Sequence, residues 1–124
     1  MKRYIGIDYG EKRIGIALGD SESKIAVPFA VANDVQELIK IIHNEEIEEI
    51  VIGLPFTMKS ESGEMTVVVE KFVQDLKRQV SLPVIEIDER LSSKSADTLL
   101  GGRDKTKRDA VAAMVILQTY LDRL

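Results

Sequence analysis

The first third of the chain consists of short runs in which apolar and polar residues alternate, the pattern of β-strands. Arg3–Asp8 alternates in this way, and Arg13–Leu18 repeats the pattern after a turn at Tyr9-Gly10-Glu11. The two segments are therefore predicted to form a hairpin. A third strand is predicted over Ile25–Ala32, where Pro28 indicates an edge strand or a bulge.

A helix is predicted to follow, because the apolar residues now recur at helical spacing. Either Asn33 or Asp34 is expected to cap its start, with Gln36 or Glu37 three residues further on completing a capping box. The apolar stripe of this helix consists of Val35, Leu38, Ile39 and Ile42.

The rest of the chain alternates strand and helix. The predicted order is a strand over Glu49–Gly53, a loop over Pro55–Gly63, a helix over Glu64–Gln79, a strand over Pro83–Asp88, a short helix after Ser92 or Ser93, a loop over Gly101–Thr106 and a helix from about Lys107 to Arg123. Three antiparallel strands followed by αβαβα predict an α/β protein with a five-stranded mixed sheet and helices on both faces. This is the element order of the RNase H-like fold. Residues 1–124 are predicted to form a single domain.

Composition narrows the classes of function. There is no cysteine among the 124 residues, which excludes disulfides, thiolate zinc sites and a cysteine nucleophile. The apolar stretch near the amino terminus already ends at Asp8, too early for a signal peptide. The longest apolar run, Ala110–Leu117, is too short to span a bilayer. A soluble, cytoplasmic protein without a membrane partner is therefore expected.

Charge is unevenly distributed along the chain. The net charge is −4, but residues 90–108 hold six basic residues against two acids. Residues 34–49 hold six acids and one lysine. A basic side that meets phosphate is one interpretation, and an ordinary solvated charged surface is the other.

Asp8 is the first candidate for chemistry. It ends an apolar strand that a small domain must place near its centre, and Gly6 and Gly10 flank it. Missing side chains beside a carboxylate let a bulky ligand approach. The alternative is an aspartate that only stabilises the Asp8-Tyr9-Gly10 turn.

A second acidic position follows the strand that ends near Ile87. Ligands of parallel α/β units collect at the carboxyl ends of strands. Because side chains alternate along a strand, only one of Asp88 and Glu89 is expected to face such a site. The alternative is an exposed acid beside Arg90.

Asp109 is the third candidate. It shares one face of the last predicted helix with Ala113, Ile116, Leu117 and Tyr120. That face must pack on the sheet, so a carboxylate in the first turn would be partly buried and would need a partner. Favourable interaction with the helix dipole explains its position along the helix but not its apolar side.

A divalent cation accounts for all three acids together, because it removes the repulsion between converging carboxylates. Hard oxygen ligands suit Mg²⁺ or Mn²⁺. Two such ions about 4 Å apart can activate a water and stabilise the leaving oxygen in phosphodiester cleavage. A metal-dependent nuclease is therefore predicted.

Four stretches resemble the YqgF/RuvX family of RNase H-fold nucleases, described as Holliday junction resolvases and as nucleases that mature the precursor of small-subunit ribosomal RNA. They are Gly6–Ala17, Val51–Pro55, Asp88–Ser92 and Lys107–Gln118, so the resemblance covers essentially the whole chain. The chain departs from the family pattern in two places, the loop at residues 56–63 and a short loop at residues 101–106.

The resemblance implies Asp8, Glu89 and Asp109 as catalytic metal ligands, with Asp88 as second choice to Glu89. Related resolvases carry the middle acid after the fourth strand, where this chain has Gly53-Leu54-Pro55. The residues expected to contact nucleic acid are Lys12, Arg13, Arg90, Lys94, Lys107 and Arg108. The implied substrate is an rRNA precursor or a four-way DNA junction, and symmetric cutting of a junction would require a homodimer.

Two other functions fit parts of the sequence. A non-catalytic RNA-binding module for ribosome assembly would use the basic residues 90–108, but three phenylalanines, three tyrosines and no tryptophan make a poor base-stacking platform. An ATPase of the actin and Hsp70 kind also begins with a Gly-Ile-Asp strand, but it needs two such domains around the nucleotide. Metal-dependent cleavage and ATP binding, respectively, would discriminate these alternatives.

Overall fold

A computed structural model describes residues 1–10, 12–54, 64–88 and 105–124, with side chains except at 54, 64–66, 88 and 105–107. The strands are β1 (Arg3–Tyr9), β2 (Ile14–Asp20), β3 (Val27–Ala32), β4 (Glu49–Leu54) and β5 (Val84–Asp88), and the helices are α1 (Val35–Asn44), α2 (Glu64–Gln79) and α3 (Lys105–Leu121). The predicted order of these elements is confirmed. The predicted loop at 55–63 and the short helix after Ser92 or Ser93 lie outside the described residues.

The five strands form one mixed sheet in the order β3-β2-β1-β4-β5. β1 pairs antiparallel with β2, and β4 and β5 continue the sheet in parallel. β1 is therefore the central strand, as the apolar run before Asp8 predicts. The carboxyl ends of the parallel strands β1, β4 and β5 lie at the same end of the sheet. Ligands of parallel α/β units bind at this end.

Alternation along the strands divides the core into two clusters, one on each face of the sheet. The face covered by α1 and α2 buries Ile5 and Ile7 of β1 against Leu38 of α1 and Leu76 of α2. The opposite face, called here the α3 face, buries smaller residues, because a helix backbone lies almost directly on the strands. A methyl group at Gly6 would lie 2.7 Å from Leu117 Cβ and 2.8 Å from the Ala113 carbonyl oxygen.

β3 forms the edge that Pro28 predicts. Pro28 pairs with Ala17, and the register shifts at Ile16/Ala17, so the strand carries both the edge and the irregularity that proline favours. A proline here removes no hydrogen bond from the centre of the sheet.

Asp34 caps α1, which resolves the choice between Asn33 and Asp34. Its carboxylate accepts a hydrogen bond from the backbone N–H of Glu37 at 2.9 Å. The Glu37 carboxylate accepts from the side-chain amide of Asn33 at 3.1 Å. Both predicted capping residues therefore help to fix the start of the helix.

α3 begins at Lys105, two residues earlier than predicted. The predicted loop over Gly101–Thr106 is therefore wrong at its last two residues, which are helical. The predicted apolar face is confirmed, since Ala113, Ile116 and Leu117 are completely buried. Asp109 consequently lies in the second turn rather than the first, where the stabilising effect of the helix dipole has already faded.

Gln118 ties the far half of α3 to the turn between β2 and β3. Its side-chain oxygen accepts from the backbone N–H of Ala26 at 2.9 Å, and its nitrogen donates to the carbonyl oxygen of Lys24 at 2.8 Å. One amide thereby satisfies a donor and an acceptor of an irregular segment.

At the opposite end of the sheet, where β1 begins, the Tyr4 and Tyr120 rings pack edge to face with centroids 5.6 Å apart. Burial first, and then the nearby Glu49 carboxylate, raise the pKa of both phenols. The Lys2 ammonium lies 3.3 Å from Glu49. In the described part of the chain, no helix is long and apolar enough to cross a membrane.

Candidate active site

Asp8 lies next to the carboxyl end of β1, the central strand. Tyr4 and Gly6 of the same strand face α3, and strand alternation puts Asp8 on that face too. Ile7 pairs with Ile52 of β4, and Ile52 pairs with Glu86 of β5. Asp8 is therefore one residue further along β1 than this row of paired residues, close to the end of the sheet where β1, β4 and β5 terminate.

Gly15 brings Asp109 to the same place. Its Cα is the cross-strand partner of Asp8, and such partners lie about 4.5–5.5 Å apart. A methyl group on Gly15 would collide with the carbonyl oxygen of Asp109. The helix backbone at Asp109 therefore sits directly on β2 beside Asp8. Residues that are 101 positions apart in sequence thus lie at one end of one face of the sheet.

An ion pair between Arg13 and Asp109 completes the described part of the site. The Nε of Arg13 donates to Oδ2 of Asp109 at 2.7 Å. The two side chains are 35% and 23% exposed, respectively. A short, partly shielded, charge-assisted bond of this kind is stronger than an ion pair free in solvent. It provides the partner that a half-buried carboxylate requires.

The third predicted acid is defined only in part. Asp88 is the last residue of β5, and Glu89 lies outside the described residues. Ile85 and Ile87 belong to the cluster on the α3 face, whereas Val84 packs with the opposite cluster. The strand thus alternates as predicted up to residue 87, two positions before Glu89.

Of the residues predicted to contact nucleic acid, some are described by the structure and others are not. Lys12 is exposed in the β1–β2 turn, and Arg108 is half-buried immediately before Asp109 in α3. Lys107 belongs to the first turn of that helix. Arg90 and Lys94 lie outside the described residues. Lys12 and Arg108 therefore lie near Asp8 and Asp109, respectively, along the chain.

The donor set suits a hard divalent cation, as far as it is described. Asp8 and Asp109 offer carboxylate oxygens from two rigid elements, the chemistry that Mg²⁺ and Mn²⁺ prefer. Within the described residues, no group of three or more histidine, cysteine, aspartate or glutamate side chains could hold a metal ion. The third acid of a three-acid site is therefore sought among the side chains that are not described, which include Asp88 and Glu89.

Two features of the site escaped the sequence analysis. Gly15, like Gly6, admits the backbone of α3 against the sheet, and a glycine among apolar residues of a strand is the signal that could have identified it. The sequence predicts Arg13 as a substrate contact and overlooks its bond to Asp109. Alternation places residues 13 and 15 on the same face, which could have suggested that bond.

Comparison with known proteins shows the family of the chain. A family model described as "RuvX: Holliday junction resolvase" matches residues 2–123. A Sulfurihydrogenibium sp. (strain YO3AOP1) protein named "Putative pre-16S rRNA nuclease" is 42% identical, covering 100% of this chain and 92% of that protein. A Chloroflexus aurantiacus protein with the same name is 35% identical, covering 95% of this chain and 85% of that protein.

Solved structures share the fold at much lower sequence identity. Thermus thermophilus RuvC in complex with a Holliday junction substrate matches with a TM-score of 0.65 and 14% identity, covering 99% of this chain and 95% of that chain. The yeast mitochondrial Holliday junction resolvase matches with a TM-score of 0.60 and 13% identity, covering 97% and 78%.

The five-stranded mixed sheet defines an RNase H-like fold, and the family and relatives that match the chain define a nuclease of that fold. The resemblance noted in the sequence is confirmed at the level of the family. The chain belongs to the RuvX family.

Proposed function

We propose that this chain is a metal-dependent nuclease that hydrolyses phosphodiester bonds in structured nucleic acid, with Asp8, Glu89 and Asp109 as its catalytic acids. The observation that carries the proposal is the convergence of Asp8 and Asp109, which Gly15 makes possible by admitting the helix backbone. Two carboxylates at one end of one face of the sheet repel each other, because they carry like charges. A divalent cation bound by both carboxylates would remove this repulsion, and their negative charges would then contribute to binding the cation.

Asp8 and Asp109 are the described residues that would hold Mg²⁺ or Mn²⁺, and Glu89 is our third ligand. We choose Glu89 over Asp88 because the family resemblance implies it, and because Ile85 and Ile87 face α3, so that a strand continued to residue 89 would turn that residue to the same face. The bound ion would supply charge stabilisation at the phosphate and an activated water. The protein's own part is to hold the carboxylates on a strand and a helix, rigid elements that keep their spacing.

The substrate that we propose is the 5′ end of a pre-16S rRNA, and the names of the curated relatives support it. A four-way DNA junction is the second candidate, which the description of the matching family supports. Both present duplex backbone, so contacts from Lys12, Arg90, Lys94, Lys107 and Arg108 would reach phosphate and shape rather than base edges. We place the activity in the cytoplasm, and cutting a junction symmetrically would require a homodimer.

Cleavage by the purified protein tests the proposal. We expect both Mg²⁺ and Mn²⁺ to support cutting of either a structured RNA with a 5′ extension or a four-way DNA junction, and EDTA to abolish it. Whichever substrate is cut identifies the class. Binding to RNA without any cleavage in either metal would instead favour the non-catalytic module.

Asp8→Asn provides a test that does not depend on the substrate. The variant keeps the shape of the side chain but removes one charge, so we expect no cleavage and an apo stability unchanged or higher by about 1 kcal/mol. Added Mn²⁺ should raise the melting temperature of the wild type more than that of the variant, since a ligand stabilises only the state that binds it. If Asp8 only stabilised the turn, the variant would be less stable and Mn²⁺ would not separate the two proteins.

A further inference from the structure

Arg13 occupies a position between the hairpin turn and the acidic pair. The sequence predicts it as a contact to nucleic acid, but its described bond is to Asp109. We propose that Arg13 is a positioning residue, which holds one oxygen of Asp109 so that the other is presented to the metal ion. This inference rests on the proposed nuclease function.

The backbone of Arg13 is fixed before its side chain makes any contact. Its carbonyl oxygen accepts a hydrogen bond from the N–H of Gly10 at 2.9 Å, which closes the turn between β1 and β2. Ile14 next to it is buried in the cluster under α1 and α2. Strand alternation therefore directs Arg13 toward the α3 face, on which Asp109 lies.

The other end of the ion pair is equally fixed. The backbone of Asp109 rests on Gly15 without room for a methyl group, and Ala113, one turn further along α3, is completely buried. Long charged side chains on a free surface lose entropy when they pair, so such pairs hold little in place. Here both residues are anchored, and the 2.7 Å bond between Nε and Oδ2 fixes the rotation of the carboxylate.

This bond has two consequences for a metal site. A carboxylate has two oxygens, and a ligand whose second oxygen is held by a hydrogen bond binds its ion in a defined orientation. The guanidinium also offsets part of the repulsion between Asp8 and Asp109 before any ion is present. Because Asp109 already offsets the positive charge of the Arg13 guanidinium, the attraction of Arg13 for a phosphate is weak. Arg13 should therefore add little to substrate binding.

The experiment compares Arg13→Gln and Arg13→Lys with Lys12→Gln. Lys12 is the exposed basic neighbour in the same turn, so it is the matched control for a phosphate contact. The rise in melting temperature with increasing Mn²⁺ concentration is measured for each protein without substrate, and the apparent dissociation constant of the ion is derived from it. The kcat, the KM and the salt dependence of binding are then measured on the nucleic acid that the wild type cuts.

We expect Arg13→Gln to raise the apparent dissociation constant of Mn²⁺ and to lower kcat, each by about 10–100-fold, as is typical when a partner of a metal ligand is lost. Its KM and salt slope should stay unchanged, and Arg13→Lys should recover part of the loss because it keeps the charge. Lys12→Gln should instead raise KM and flatten the salt slope by about 0.9. Equal apo melting temperatures of Arg13→Gln and Arg13→Lys would exclude misfolding as the cause of their difference.

Two results would overturn the inference while leaving the nuclease intact. A higher KM and a flatter salt slope for Arg13→Gln, with unchanged Mn²⁺ dependence, would make Arg13 a phosphate contact. Tighter Mn²⁺ binding by Arg13→Gln would mean that the guanidinium competes with the ion rather than positioning its ligand. If the wild type itself neither responds to Mn²⁺ nor cuts either substrate, the proposed function fails, which is a distinguishable outcome.

Discussion

Gly15→Ala tests whether the close contact between α3 and β2 sets the geometry of the site. The added methyl group would collide with the carbonyl oxygen of Asp109 and lie 3.1 Å from the backbone nitrogen of Ala110. Both atoms belong to the helix backbone, so no side-chain rotation relieves the overlap. The start of α3 must therefore move away from the sheet, by about 1.5 Å if ordinary van der Waals contact is to be restored.

The expected cost follows from this overlap. Overpacking of a well-packed core costs about 1–3 kcal/mol, and alanine returns about 0.4–1 kcal/mol by restricting the unfolded chain. The net loss should be about 1–2 kcal/mol, or roughly 4–8 °C in melting temperature for a domain of this size. Displacing a catalytic carboxylate by about 1 Å can cost about 100-fold in rate, so activity should fall much more than stability.

The assay measures the thermal melt and the kcat of the same preparations, at a temperature well below both melting points. Gly19→Ala is the matched control, because Gly19 lies on the same strand but approaches the far end of α3. A methyl group there would lie 3.0 Å from Leu121 Cδ1 and 3.2 Å from Leu117 Cδ2, which are side-chain ends, and 3.1 Å from the carbonyl oxygen of Ile25. We expect this control to lose some stability but to keep its turnover, because none of these atoms belongs to the site.

Two outcomes would refute the reasoning. A Gly15→Ala protein that melts earlier but turns over at the wild-type rate would show that the position of Asp109 does not limit catalysis. A protein with an unchanged melting temperature would show that α3 does not rest on Gly15 as tightly as described.

Two further predictions concern parts of the fold remote from the site. Gln118→Ala should lower the free energy of unfolding in urea by about 1–3 kcal/mol, because a backbone donor and an acceptor lose their partner. Gln36→Ala, which loses only an exposed contact at 3.5 Å, should stay within about 0.5 kcal/mol of the wild type. Above pH 10 the melting temperature should fall, since burial and Glu49 raise the pKa values of Tyr4 and Tyr120 in the folded state and the unfolded chain ionises first. The drop should be smaller in a Tyr4→Phe/Tyr120→Phe double variant, and an equal drop in both proteins would contradict the assignment.

Local patterns in the sequence were sufficient to predict most of the secondary structure. Period-two alternation defines β1 and β2, and the predicted bounds of α2, Glu64–Gln79, match the structure. The cap at Asp34 and the edge position of Pro28 follow from the backbone chemistry of single residues. These features depend on interactions within a few residues, which is why the sequence alone determines them.

The sequence also identified Asp8 and Asp109 as chemically unusual, because each carboxylate interrupts an apolar pattern. What it could not supply was their proximity. That depends on β1 pairing with β2 in a register that sets Asp8 opposite Gly15, and on α3 crossing the sheet at that glycine. Register and helix crossing are decided by packing between distant segments, so no local pattern encodes them.

Arg13 shows the same limit from the other direction. The family resemblance implies that Arg13 is a cation near the first turn that would meet nucleic acid. In the tertiary structure the guanidinium is bonded to a carboxylate 96 residues away. A charge by itself is determined by the sequence, but the partner that fixes its role is chosen by the fold, because electrostatic attraction acts through space and falls off with distance rather than along the chain.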